Sequence, residues 1–90
     1  MPFLKVGPLM RYYVDNQSEA AVRGGTVLEA LNDAVEQYPA LKTHVFGSNG
    51  KLRRHIHVFV NAENIRELRG LRTKLKEADR ITLLASISGG

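Results

Sequence analysis

Thr26-Val27-Leu28-Glu29-Ala30-Leu31-Asn32-Asp33-Ala34-Val35-Glu36-Gln37-Tyr38-Pro39 is the stretch on which the reading of the fold turns. It opens as a capping box. The Thr26 hydroxyl at the N-cap faces the N–H three residues on, and Glu29 at that third position reaches back to the cap's own N–H. Leu28, Leu31, Val35 and Tyr38 then recur at spacings of three and four, which puts them on one helical face. Glu29, Asp33 and Glu36 fall elsewhere and are expected in water. Pro39 ends the helix near Tyr38, because a proline drives the residue before it out of the α region. The spacing predicts one helix over about residues 26–38, with an apolar face that needs a partner.

Strands on either side supply that partner. Towards the N-terminus, Phe3-Leu4-Lys5-Val6 reads as a strand stopped by Gly7-Pro8. Residues 9–14 are apolar but interrupted by Arg11 and fit more than one structure. Asp15-Asn16-Gln17-Ser18 is a turn, and Glu19-Ala20-Ala21-Val22-Arg23 returns as a second strand. Gly24-Gly25 closes it, a pair suited to a turn with positive φ. Towards the C-terminus, Leu41, Val45 and Phe46 fit a short helical turn before the turn Gly47-Ser48-Asn49-Gly50. In Ile56-His57-Val58-Phe59-Val60 the apolar Ile56, Val58 and Val60 alternate onto one face. Asn61-Ala62-Glu63-Asn64 turns the chain, and residues 65–75 read as short irregular pieces. In the last strand, residues 80–85, Ile81, Leu83 and Ala85 oppose Thr82, Leu84 and Ser86. The order β-β-α-β-β with one long helix is an α+β pattern: a mixed sheet with one main helix packed on one face. The β-grasp is its natural topology, with the first strand beside the last.

Composition narrows the functional classes. Ninety residues, 43% hydrophobic and 24% charged, make a single globular domain over residues 1–90. No apolar run approaches the roughly 20 residues of a membrane helix, and Met1-Pro2-Phe3-Leu4-Lys5 lacks the layout of a signal peptide. A cytoplasmic location is the default expectation, with no membrane partner. The chain has no cysteine, which excludes disulfides, thiolate metal sites and a cysteine nucleophile. The formal net charge is +4, and Arg53, Arg54, Arg66, Arg69, Arg72 and Lys74 all lie in the second half. Aromatic residues are sparse and no nucleic-acid-binding fingerprint is present, so the charge reads as a solvated surface that steers an acidic protein partner rather than as a nucleic-acid site.

Catalytic constellations are missing from the pattern. His55 and His57 share a strand face, but no third metal ligand matches them, and with His44 they read as surface histidines. There is no G-x-S-x-G elbow, and Gly47-Ser48-Asn49-Gly50 lacks the lysine of a phosphate loop. Glu77 and Asp79 sit in a polar turn. The C-terminus stands apart: Ser86-Ile87-Ser88-Gly89-Gly90 comes directly after a core strand. With glycine at about 7% of residues, a terminal pair arises by chance in roughly one chain in two hundred. A frayed end is the ordinary explanation. A tail without Cβ atoms also threads a narrow channel and leaves the last carbonyl open to attack.

The Thr26-Val27-Leu28-Glu29-Ala30-Leu31 helix start and Asp79-Arg80-Ile81-Thr82-Leu83-Leu84 leading to Gly89-Gly90 resemble the ThiS/MoaD family of ubiquitin-like sulfur carriers, over essentially the whole chain. Gly50-Lys51-Leu52-Arg53-Arg54, residues 58–66, Gly70-Leu71 and Thr73 are similar to a longer subgroup that includes carriers for cysteine biosynthesis and MoaD-like proteins. The resemblance implies a carrier rather than an enzyme. Gly90 would be adenylated by an E1-like (MoeB/ThiF-type) enzyme that uses ATP, then converted to a thiocarboxylate, with no cofactor bound by the chain itself. Gly89, Ser88 and Ile87 would be the tail inserted into partner active sites, so that residues 86–90 form a flexible functional tail. Phe59 and Leu84 are candidates for an apolar docking patch on the sheet face away from the helix, with Arg53, Arg54 and Arg66 at its rim. Many relatives carry proline and small apolar residues before Gly-Gly, where this chain has Leu84-Ala85-Ser86-Ile87-Ser88. The acceptor therefore stays open between a cysteine synthase-like enzyme and a molybdopterin synthase large subunit, and conjugation through Gly90 to lysines of other proteins stands beside both.

Overall fold

The computed structural model describes residues 1–85. The strands are β1 (Phe3–Val6), β2 (Ala20–Ala21), β3 (Ile56–Val60), β4 (Glu63–Asn64) and β5 (Arg80–Ala85). The α-helices are α1 (Val27–Gln37) and α2 (Ala40–Val45), and 3₁₀ helices cover Pro8–Val14, Ile65–Glu67 and Gly70–Arg72. The five strands form one sheet in the order β2-β1-β5-β3-β4. β1 and β5 are parallel, running from Phe3 opposite Arg80 to Val6 opposite Leu83. β3 lies antiparallel on the other side of β5, from Ile56 opposite Ala85 to Val60 opposite Ile81. Parallel neighbours need a long connection, and here it carries α1 onto one face of the sheet. This is the β-grasp.

Alternation along the strands sends Leu4, Val6, Ile56, Val58, Val60, Ile81 and Leu83 into a single core. From the other layer α1 supplies Val27, Ala30, Leu31 and Ala34, and α2 supplies Leu41 and Val45. Residues 9–14, open to several readings in the sequence, belong to a 3₁₀ helix with Pro8 in its first turn and Met10 and Val14 buried.

Four expectations change in detail. The returning strand β2 is only Ala20–Ala21, although the Val22 N–H still donates to the Pro2 carbonyl at 3.0 Å. Thr26 caps α1 as expected, accepting from the Glu29 N–H at 3.2 Å, but the Glu29 carboxylate accepts from the Gly25 N–H at 2.8 Å rather than from the cap's own. The glycine pair lets the backbone swing that close. At Gly24, with φ +156°, a Cβ would stand 2.5 Å from the Ala30 nitrogen. Residues 61–64 include a short edge strand as well as a turn, since Glu63 and Asn64 pair with Val60 and Phe59. The buried face of α1 is also rotated from the expected one: Leu31 is buried, Val35 and Tyr38 only partly, and Leu28 is 39% exposed. Ala30 and Ala34 occupy the inner line, and Leu28 and Val35 sit roughly a quarter-turn round from its centre.

The turn into β5 is held by Asp79. Its carboxylate accepts from the Lys76 N–H at 2.8 Å and from the Asn61 amide at 3.1 Å, and its carbonyl accepts from the Phe3 N–H at 3.0 Å. The Lys76 N–H bond, then the Asn61 amide, hold the carboxyl below the ordinary aspartate value; burial opposes them and the Lys76 charge adds to them. The ionised form is therefore favoured by folding. Its contribution is present above the ordinary aspartate range and is lost as pH falls through the lowered value. Asp79→Ala is expected to cost about 1–2 kcal/mol at neutral pH. Denaturant titrations at several pH values should find that deficit shrinking in acid.

Candidate carrier face and C-terminal tail

The strand residues that point away from α1 make a second, open face. Thr82 lies between Phe59 of β3 and Lys5 of β1, and Leu84 lies opposite His57. Phe59 and Leu84 are thus diagonal neighbours on adjacent strands, about 7–8 Å apart by sheet geometry. Leu84 is 39% exposed and Phe3, on the same face, 36%. Leu84 lies over Gly7: a Cβ there would stand 2.9 Å from the Leu84 Cδ2. Cations frame the patch, with Lys5 at one side and Arg80 beside Phe3, where the Arg80 guanidinium pairs with Glu19 at 3.1 Å.

β5 is the central strand and ends at Ala85, beside the start of β3. Ile87, Ser88, Gly89 and Gly90 lie outside the described residues, but the point from which they depart is defined. Ala85, the last described residue, stands in the middle of the sheet, one residue past Leu84 and close to Gly7, whose N–H donates to the Leu83 carbonyl at 2.9 Å.

The three arginines expected at the rim do not converge. Arg53 turns to the helix layer, where its Nε donates to the Thr43 carbonyl and its side chain lines a cleft with Leu28. Arg54 is exposed in the turn before β3, and Arg66 is exposed in the 3₁₀ helix after β4. The histidines separate as well. His44 stacks on Tyr13 with ring centroids 3.9 Å apart, His55 precedes β3, and His57 is on the open face. Among the described residues no three His, Asp or Glu side chains stand close enough to hold a metal ion, and no helix is long and apolar enough to cross a membrane.

A β-grasp whose central strand is followed in the sequence by Gly89-Gly90 is matched from residue 8 to residue 90 by the model of the ThiS family. The chain belongs to the ThiS family. It is a ubiquitin-like protein of the sulfur-carrier group, and its relatives are small proteins of the same size. The sulfur carrier protein CysO of Mycobacterium tuberculosis is 26% identical over 89 residues, 97% of this chain and 96% of that one. A chain of the Amycolatopsis orientalis BexX/CysO complex superposes with a TM-score of 0.89 at 28% identity, covering 100% of both chains. Small archaeal modifier protein 1 of Methanosarcina acetivorans superposes with a TM-score of 0.90 at 32% identity, covering 99% of this chain and 95% of that one.

Within this ThiS-family chain, sequence reasoning did not select Phe3, Lys5 and Thr82 for the open face. Their signal was available in the alternation of β1 and β5. What joins them to Phe59 and Leu84 is the parallel pairing of the first and last strands, which no local pattern spells out.

Proposed function

We propose that this chain carries sulfur as a C-terminal thiocarboxylate. An E1-like enzyme joins the Gly90 carboxylate to AMP, releasing pyrophosphate from ATP. A sulfur nucleophile then displaces AMP, leaving sulfur on the Gly90 carbonyl. The thiocarboxylate passes that sulfur to an acceptor in the biosynthesis of cysteine or a related metabolite. The chain is the protein co-substrate and binds no cofactor of its own. Ile87, Ser88 and Gly89 form the tail that enters the partner's active site. Phe59 and Leu84, extended by Phe3 and Thr82, dock against the partner, with Arg54 in the turn before β3 and Arg66 in the 3₁₀ helix after β4 adding to the rate of encounter.

The observation that carries this reading is the full-length likeness to CysO carriers together with Gly89-Gly90 following the central strand in the sequence. The BexX/CysO complex, in which a relative is joined with another protein, supports a function exercised through a partner. The likeness to small archaeal modifier protein 1 supports a second reading, attachment of Gly90 to lysines of other proteins.

The test is the intact mass of the chain co-expressed with an E1-like activating enzyme of its source. The expected result is a gain equal to one oxygen exchanged for one sulfur, confined to the C-terminal peptide. An unmodified mass with every such enzyme, and no adenylate on adding ATP, overturns the carrier reading. Lysine-linked adducts that end at Gly90 favour the second.

A further inference from the structure

The helix side of the molecule carries a feature that the open sheet face does not explain. Leu28 and Val35 of α1 stand on the flank of that helix, across from Phe46 at the end of α2, and between them lies an open cleft of about 670 Å³. Asn32, Lys42 and Arg53 complete its principal walls. Leu28 is a large apolar side chain left 39% exposed, and the cleft volume is in the range of ordinary ligand sites.

Charge marks the same place. Residues 37–62 contain four Lys or Arg and no Asp or Glu, so this segment holds the whole net charge of +4 and the rest of the chain is neutral. Lys42 and Arg53 are the cations of that segment that line the cleft, and among the described residues neither forms an ion pair. Of the three acids of α1, Glu36 forms no ion pair with either cation among the described residues, and the other two are held elsewhere. Asp33 accepts from the Arg23 N–H at 2.8 Å and from the Gln37 amide at 2.9 Å, and Glu29 is tied to the Gly25 N–H. The Nε of Arg53 is held by the Thr43 carbonyl at 2.6 Å. That bond positions the guanidinium beforehand and leaves its Nη groups to meet a carboxylate.

We propose that this cleft docks an acidic segment of a protein partner, one apolar side chain seated against Leu28, Val35 and Phe46 with flanking carboxylates on Lys42 and Arg53. A single-stranded nucleic acid fits less well, since it needs exposed aromatic platforms and Phe46 is only 9% exposed. The cleft lies in the helix layer, opposite the face that carries Phe59 and Leu84, so the two sites accept partners independently.

The experiment is selection of a random displayed-peptide library on the full chain, followed by affinity measurement on the wild type, Leu28→Asp and Lys42→Glu. Both positions are exposed, and thermal melts check that the variants are folded. The expected result is a consensus of one large apolar residue flanked by Asp or Glu, bound about tenfold more weakly by each variant and more weakly as salt rises. A neutral or basic consensus, binding that survives both substitutions, or no binders at all overturns the proposal. Concentration-dependent self-association that Leu28→Asp abolishes also overturns it, by assigning the cleft to a second copy of the chain.

Discussion

Removing Gly90 is expected to abolish sulfur transfer while leaving the melting temperature nearly unchanged. The reason lies in the separation of fold from chemistry. Among the described residues the core is complete with Leu83 as its last member and the strand pairing reaches Ala85, whereas the proposed reacting carboxylate is that of Gly90, five residues further along the sequence. With Gly89 as the new terminus, a carboxylate is still present but one residue short, and about 3.3–3.6 Å of reach is lost from an extended tail. That is more than the tolerance for attack on an activated carbonyl, where reacting atoms must approach to about 3–3.5 Å. The check is adenylate and thiocarboxylate formation by mass spectrometry beside a thermal melt. Transfer that survives the deletion overturns the role of Gly90, and unfolding on deletion overturns the separation of tail from fold.

Leu31→Ala is expected to produce the largest loss of stability of the substitutions considered. Leu31 is 1% exposed, in the layer between α1 and the sheet. Truncation leaves a cavity and costs about 2–5 kcal/mol. For a domain of this size that lowers the melting temperature by roughly 8–40 °C. Leu84→Asp provides the contrast. At 39% exposure on the open face, it should melt close to the wild type yet bind its activating enzyme about thirtyfold more weakly, the scale of an interface hot spot. Denaturant unfolding and partner titration on the two variants separate a core role from a docking role. Equal stability losses would remove the distinction between the two faces.

Much of this was legible in the residues. The cap at Thr26, the stop at Pro39, the alternation in β3 and β5 and the Gly47–Gly50 turn depend on neighbours within a few positions, and all appear where the spacing placed them. β4 was not legible. Two residues make no period, and Glu63 and Asn64 are a strand only because Val60 and Phe59 lie beside them. β2 was over-read for the converse reason: its ladder with β1 covers only Ala20 and Ala21, and Val22 keeps a single bond to the Pro2 carbonyl beyond it. Of the candidate site, the Phe59–Leu84 face came from strand phase, whereas Arg53, Arg54 and Arg66 were grouped by charge alone, and the fold disperses them.

The sequence by itself determined the main helix and the strands β1, β3 and β5, which side of those strands is apolar, and that the chemistry-bearing candidate is a glycine pair beyond the last strand. Periodicity sets the phase of an element about its own axis, and covalent order sets the succession of elements along the chain. Tertiary structure alone decided which apolar residues of α1 became core. Leu28, Leu31, Val35 and Tyr38 form a helical stripe as good as Val27, Ala30, Leu31 and Ala34. The choice between them depends on how the helix is rotated against the sheet, and the sheet is assembled from strands almost eighty residues apart in sequence, Phe3 beside Arg80. That rotation left Leu28 exposed and Val35 half-buried at the edge of the core and, with Lys42 and Arg53 brought to face them, made the cleft on the helix side.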